Sequence, residues 1–230
     1  MDTGPDQERT RPLLVELQIA DDPISWAEAG FAVEGDVVQV GDVAFRLTGA
    51  PIDDGGPRGI TGWTVTGLDI ADGQLDGLPT EARSAEPDHR PTTAPAHPNG
   101  ATGLDHVVVL TPDLDRTIEA CAAAGLELRR IRDTESYGSP MRQAFFRLGP
   151  TILEVVSGDV GVGQPAADAP ATWFGLAVDV DDLDETAALL GDGLGAIKVA
   201  VQDGQRIATL RHKAFGMSVA IAAMDHHADR

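Results

Sequence analysis

The sequence predicts an α+β protein assembled from repeated βαβββ modules, and three observations predict it. Apolar runs switch from strand-like to helix-like patterning and back in a fixed order. The motif Asp113-Leu114-Asp115 returns as Asp182-Leu183-Asp184, 69 residues later, and a repeat at fixed spacing is stronger than either copy alone. Two stretches poor in large apolar residues divide the chain. The first, ARSAEPDHRPTTAPAHPNGA over residues 82–101, carries Pro87, Pro91, Pro95 and Pro98 and reads as an extended linker. The second, residues 158–170, is rich in Gly, Pro and Asp. The units so defined are a degenerate N-terminal βαβββ-like module (12–69), the linker (82–101), and two clear modules (103–157 and 171–223).

The middle unit opens with LDHVVVL (104–110), a β-branched run suited to a strand. TPDLD then stops it and starts a helix, with Thr111 or Asp113 as the cap and Pro112 tolerated in the first turn. The helix runs to about Ala124, and Gly125 takes the position after its last turn. Strands follow at 126–132, 142–148 and 151–156, the last two joined by a Gly149-Pro150 turn. The last unit repeats this order, with a strand at 172–180, a helix at 182–190, and strands near 197–201, 206–210 and 217–222. The N-terminal unit is a fainter copy. Its first strand is 13–20, a short helix covers 22–30, Phe45-Arg46-Leu47 echoes Phe146-Arg147-Leu148, and 59–68 is its expected last strand.

Composition narrows the function classes. Across 230 residues, 37 acidic residues stand against 17 basic ones, a formal charge of −20. Such a surface repels phosphate backbones and anionic headgroups, so no nucleic acid or membrane partner is expected. Only Lys198 and Lys213 among the basic residues are lysine, a bias of composition rather than a site. The single cysteine, Cys121, falls on the expected helix and reads as a small core residue. A polar start without a leader, and no apolar run of membrane-spanning length, set a cytoplasmic expectation. The glycine cluster Gly158 to Gly163 has no helix after it, because Pro165 comes too soon, so a dinucleotide loop is not expected.

At GLDHVVVLTPDLDRTIEACAAAGLEL the chain resembles the opening of a vicinal oxygen chelate module, the superfamily of glyoxalase I, extradiol dioxygenases and bleomycin resistance proteins. RQAFFRLGPTILEVVSG resembles the module's closing hairpin, and FGLAVDVDDLDETAALL the opening of a second one. The resemblance is clear over about residues 103–223 and faint over 12–68. It implies paired modules whose curved mixed sheets enclose a cleft, and a divalent metal there (Zn, Fe, Mn, Ni or Mg) held by a first-strand residue and a last-strand carboxylate from each module. His106 and Glu154 match those two positions in the middle module. In the last module the offset of 69 places Gly175 opposite His106, and Ala220 falls where Glu154 would be; neither side chain can bind an ion. Half of the implied ligand set is therefore missing.

Each candidate has a plainer reading beside the functional one. His106 is a metal ligand or general acid/base, or a strand histidine bonded in a polar cleft. Glu154, inside an apolar strand, needs a partner or an exposed face. Trp173 and Phe174 are candidate pocket walls, and one of Arg142 and Arg147 a holder of a substrate carboxylate, unless these arginines are merely solvated. Glu16 either replaces a lost ligand or lies on a solvated strand face. His97 folds over a cleft mouth or stays a solvated loop residue. His226 and His227 sit in a polar tail, and His212 in a hairpin. Two functions remain open at this stage: a metal-dependent enzyme of lyase, isomerase or dioxygenase type with an incomplete ligand set, or a metal-free small-molecule-binding protein. A homodimer fits either, because three units leave one without a mate.

Overall fold

Alternation of apolar and polar residues organises the strands of the computed structural model, which describes residues 11–49, 56–84, 94–136, 139–158, 166, 168–200 and 204–225. The middle module contains β7 (Ala101–Leu110), α2 (Leu114–Ala123), β8 (Leu128–Ser136), β9 (Ser139–Leu148) and β10 (Thr151–Gly158). The last module contains β11 (Thr172–Val180), α3 (Leu183–Leu190), β12 (Lys198–Val199), β13 (Arg206–Thr209) and β14 (Ala220–Asp225). Together they build one eight-stranded sheet of order β12-β13-β14-β11-β7-β10-β9-β8. In each module the first strand lies parallel to the fourth, and the two first strands meet antiparallel at the centre. The sheet is mixed and the class is α+β, as the sequence predicts.

On one face of this sheet Val107, Val109, Phe146 and Leu148 have no exposure. Helix α2 covers β9 and β10 with Leu114, Thr117 and Cys121. Asp113 is its cap, accepting from the Arg116 N–H at 3.0 Å, and Asp182 does the same for α3. Gly125, at φ +96°, turns the chain out of α2 through a conformation that a side chain would strain. The same alternation leaves His106, Val108, Ile152 and Glu154 on the opposite face, half-buried.

The N-terminal half departs from expectation. It contains β1 (Leu13–Ile19), α1 (Pro23–Glu28), β2 (Val37–Val40), β3 (Val43–Leu47), β4 (Ile60–Thr66), β5 (Gln74–Leu75) and β6 (Leu78–Arg83). These strands form a six-stranded sheet of order β2-β3-β1-β4-β6-β5. The expected last strand at 59–68 is β4, which runs antiparallel to β1; β3 takes the parallel position beside β1 instead. Strand β4 in turn lies parallel to β6, which carries β5 on its far side. The half is thus a pair of shortened units, βαββ and βββ, joined through antiparallel first strands like the larger sheet. Among the described residues no unit lacks a mate, so an unpaired unit is no longer a reason to expect a homodimer.

The expected linker is also more ordered at its ends than its prolines suggest. Strand β6 reaches Arg83, and residues 85–93 lie outside the described segments. Beyond them Asn99 donates to the Ala29 carbonyl and accepts from the Ala101 N–H, while its own carbonyl accepts from Thr186. His97 is buried among N-terminal residues. It accepts from the Ala32 N–H at 2.9 Å, and its Nε2 bonds the Gln39 carbonyl at 2.8 Å. It is neither a cleft cover nor a solvated histidine. Among the described residues, no helix is long and apolar enough to cross a membrane.

Candidate functional site

The half-buried face of the eight-stranded sheet carries a cleft lined by Asp105, His106, Arg129, Arg130, Phe145, Arg147, Ile152 and Glu154. Strand register explains the set. His106 on β7 lies beside Ile152 on β10, which lies beside Arg147 on β9. One step along, Val108, Glu154, Phe145 and Arg130 make a second row across four strands. Side chains in a row share a face, so both rows open into one depression.

Two β-bulges shape this depression. Opposite β11, Ala177 faces His106 and Val178 faces Leu104, so Asp105 is an extra residue on β7. Opposite β9, Phe146 faces Leu128 and Phe145 faces Arg130, so Arg129 is an extra residue on β8. A bulge breaks the two-residue alternation and re-aims a side chain. Asp105 consequently reaches its own neighbour: its Oδ1 lies 2.6 Å from His106 Nδ1, a bond in which the imidazole N–H donates. The Asp105 carboxylate has almost no exposure, and burying it without such a partner would be costly. The other ring nitrogen, Nε2, lies 3.6 Å from Glu154 Oε2. Glu154 also accepts from Gln143 Nε2 at 2.5 Å. A histidine thus stands between two carboxylates, with one nitrogen fixed and the other turned to the cleft.

Of the residues that sequence reasoning singled out, His106 and Glu154 come together here. Arg142 does not: it lies on the helix-covered side, 3.2 Å from both carboxylate oxygens of Asp115 on α2. Trp173 packs edge-to-face on Trp63 of β4, with centroids 5.0 Å apart, between the two sheets rather than in the cleft. Phe174 is an extra residue at a bulge on β11, 39% exposed and absent from the cleft lining. Glu16 belongs to the other sheet, where Arg46 holds it at 3.0 Å, so it replaces no ligand. His212 sits on a short 3-10 turn, His212–Phe215. His226, His227 and residues 159–165 lie outside the described residues. Asp105, Arg129, Arg130 and Phe145 were missed. Alternation sends Asp105 and Arg129 to the wrong face, and only strand pairing reveals the bulges.

Strand pairing also refines the missing half of the ligand set. Gly175 pairs with Ala220 as His106 pairs with Ile152. The counterpart of Glu154, two residues on, is therefore Ala222 rather than Ala220. Neither alanine nor Gly175 offers a donor, and a Cβ on Gly175 would meet the Ala220 carbonyl at 2.5 Å. Among the described residues no three His, Cys, Asp or Glu side chains are grouped to hold an ion. The two donors His106 and Glu154 do not make the four-ligand site that the resemblance implies.

No family model matches the sequence, and no curated protein matches it either. Solved structures do. A triple mutant of 4-hydroxymandelate synthase from Streptomyces coelicolor aligns with a TM-score of 0.65 at 16% identity, over 96% of this chain and 94% of that one. A xylose isomerase-like TIM barrel/4-hydroxyphenylpyruvate dioxygenase fusion protein aligns with a TM-score of 0.60 at 11% identity, over all of this chain and 52% of that one. Identities this low speak to fold. Doubled modules of order first-fourth-third-second, joined through their first strands, and these likenesses over the whole length give one conclusion: the chain has the vicinal oxygen chelate, glyoxalase-like fold.

Proposed function

We propose that this protein binds a small molecule on the open face of its eight-stranded sheet and exchanges a proton with it at His106 Nε2, without a resident metal. The observation that carries the reading is the bulge that buries Asp105 against His106 Nδ1. That bond selects the tautomer with a proton on Nδ1, so a ligand would meet the ring at Nε2, on the Glu154 side. Glu154, 3.6 Å from Nε2, is close enough to share a proton through the bound molecule. Chemistry of this kind suits isomerase- or lyase-type steps, in which a proton leaves one carbon or oxygen and returns to another.

A second reading has one specific observation in its favour. Metal-binding histidines commonly donate their other ring N–H to a carboxylate, as His106 does. Elemental analysis of untagged protein, with His106→Ala and Glu154→Ala alongside, separates the two. The proposal expects well-folded protein with far less than one equivalent of metal. It also expects ligands from a small-molecule screen to resist chelators and bind about tenfold or more weakly to His106→Ala. Near-stoichiometric metal lost in both variants would establish the second reading instead.

A further inference from the structure

The cleft is basic on one side in a protein that is acidic as a whole. Arg147 shares a row with His106, two strands away, and Arg130 shares a row with Glu154, again two strands away. At the usual strand spacing each is about 10 Å from the polar centre, backbone to backbone. The bulge on β8 adds Arg129 beside them. Arg130 is held over the Phe145 ring, 4.5 Å from its centroid. No carboxylate within ion-pair distance of Arg130 or Arg147 is found among the described residues. Other arginines of the chain do find acids: Arg46, Arg83, Arg116, Arg129, Arg142 and Arg206 all form ion pairs.

A second depression adjoins the first and shares Arg129 and Arg147 as a common wall, with Arg11 and Arg83 on its far side. Five of the 17 basic residues therefore line two neighbouring hollows. Arg83 is paired with Glu81 and Arg129 with Glu127, whereas the Arg130 and Arg147 guanidiniums offer forked donors that fit carboxylate or phosphate oxygens, and the grouping of positive charge attracts anions.

We infer that the ligand of this cleft carries an anionic oxygen group, a carboxylate or a phosphate, which Arg130 and Arg147 clamp on the basic side of the cleft while its reacting end lies at His106. The inference rests on the cleft reading above and adds the ligand's chemical class. The clamp fixes one end of the molecule two to three strands from the histidine, so it also sets which atom of the ligand meets Nε2.

The test uses the full chain at low ionic strength with three probes: inorganic phosphate, pyrophosphate and malonate. Calorimetry and arginine side-chain Nε–H NMR signals are followed in wild type, Arg130→Gln, Arg147→Gln, His106→Ala and, as a control in another part of the sheet, Arg206→Gln. Saturable binding is expected for at least one probe, weakened about tenfold or more in each cleft arginine variant and unchanged in Arg206→Gln. Binding of the phosphates alone assigns a phosphoryl ligand, and binding of malonate alone a carboxylate. No binding of any probe to wild type, or equal binding to wild type and both cleft variants, overturns the clamp. His106→Ala keeps the two claims apart. Arginine-dependent anion binding without any His106-dependent ligand sinks the function and spares the clamp. His106-dependent ligands that are neutral and ignore both arginine changes do the reverse.

Discussion

His97 shows what burial does to a titrating side chain. Its ring has no room for a second proton, because Nδ1 already accepts from Ala32 and Nε2 bonds the Gln39 carbonyl. Burial pushes its pKa below the ordinary 6.5, and the bond to Gln39 opposes this only in part. His212 is lowered for the same first reason, helped by the nearby Lys213 charge. Unfolded histidines bind protons at higher pH than these two, so the stability they contribute is complete above about pH 6.5 and declines as pH falls toward their lowered values. Denaturant unfolding between pH 7.5 and 5.5 should show that decline, and a smaller one in His97→Phe despite its lower stability at pH 7.5. An identical slope in the variant would remove His97 from the account. Cys121 lies under the same influence: burial pushes its thiol up to about 12, which makes it a core residue.

At the scale of elements, what was legible in the sequence is what repeats with the period of its own structure. The strand–helix–strand order, Asp113 and Asp182 at the helix starts and Gly125 at a helix end follow from local chemistry, and they are where expected. His106 and Glu154 fall on one face by simple alternation. The bulges at Asp105 and Arg129 did not show, because an extra residue is defined by its partner strand and leaves no mark in its own. Strand β4 was misplaced for a related reason: its apolar pattern fits a strand on either side of β1, and only the sheet decides between them. Trp173 looked like a pocket wall because an aromatic at a strand start is conspicuous, but it serves the junction with Trp63.

Over the whole molecule, two sheets share one apolar core, and buried polar groups fix how they meet. Asp21, fully buried, accepts from the Trp26 indole N–H and from both the backbone N–H and hydroxyl of Ser218, 197 residues away. Asp76 accepts from Arg116 at 2.8 Å and from Thr117 on α2. Asp21→Ala would leave those donors buried without partners, a loss of about 3 kcal/mol in the unfolding free energy. A loss under about 0.5 kcal/mol, in the range of ordinary surface changes, would mean that Asp21 does not hold the halves together. On the His106 face this docking leaves a cleft with a basic wall.

Asp105 holds His106 by Nδ1, and the proposed meeting point with a ligand is Nε2, on the Glu154 side, without a resident metal. Long-range 1H–15N NMR of the imidazole rings, with His106→Ala to assign the signals, tests it most directly. The expected result is a His106 ring protonated on Nδ1, unchanged by a chelator, whose Nε2 signal moves when a ligand binds. A ring protonated on Nε2 alone, or an Nε2 signal that shifts when the chelator is added, would contradict it.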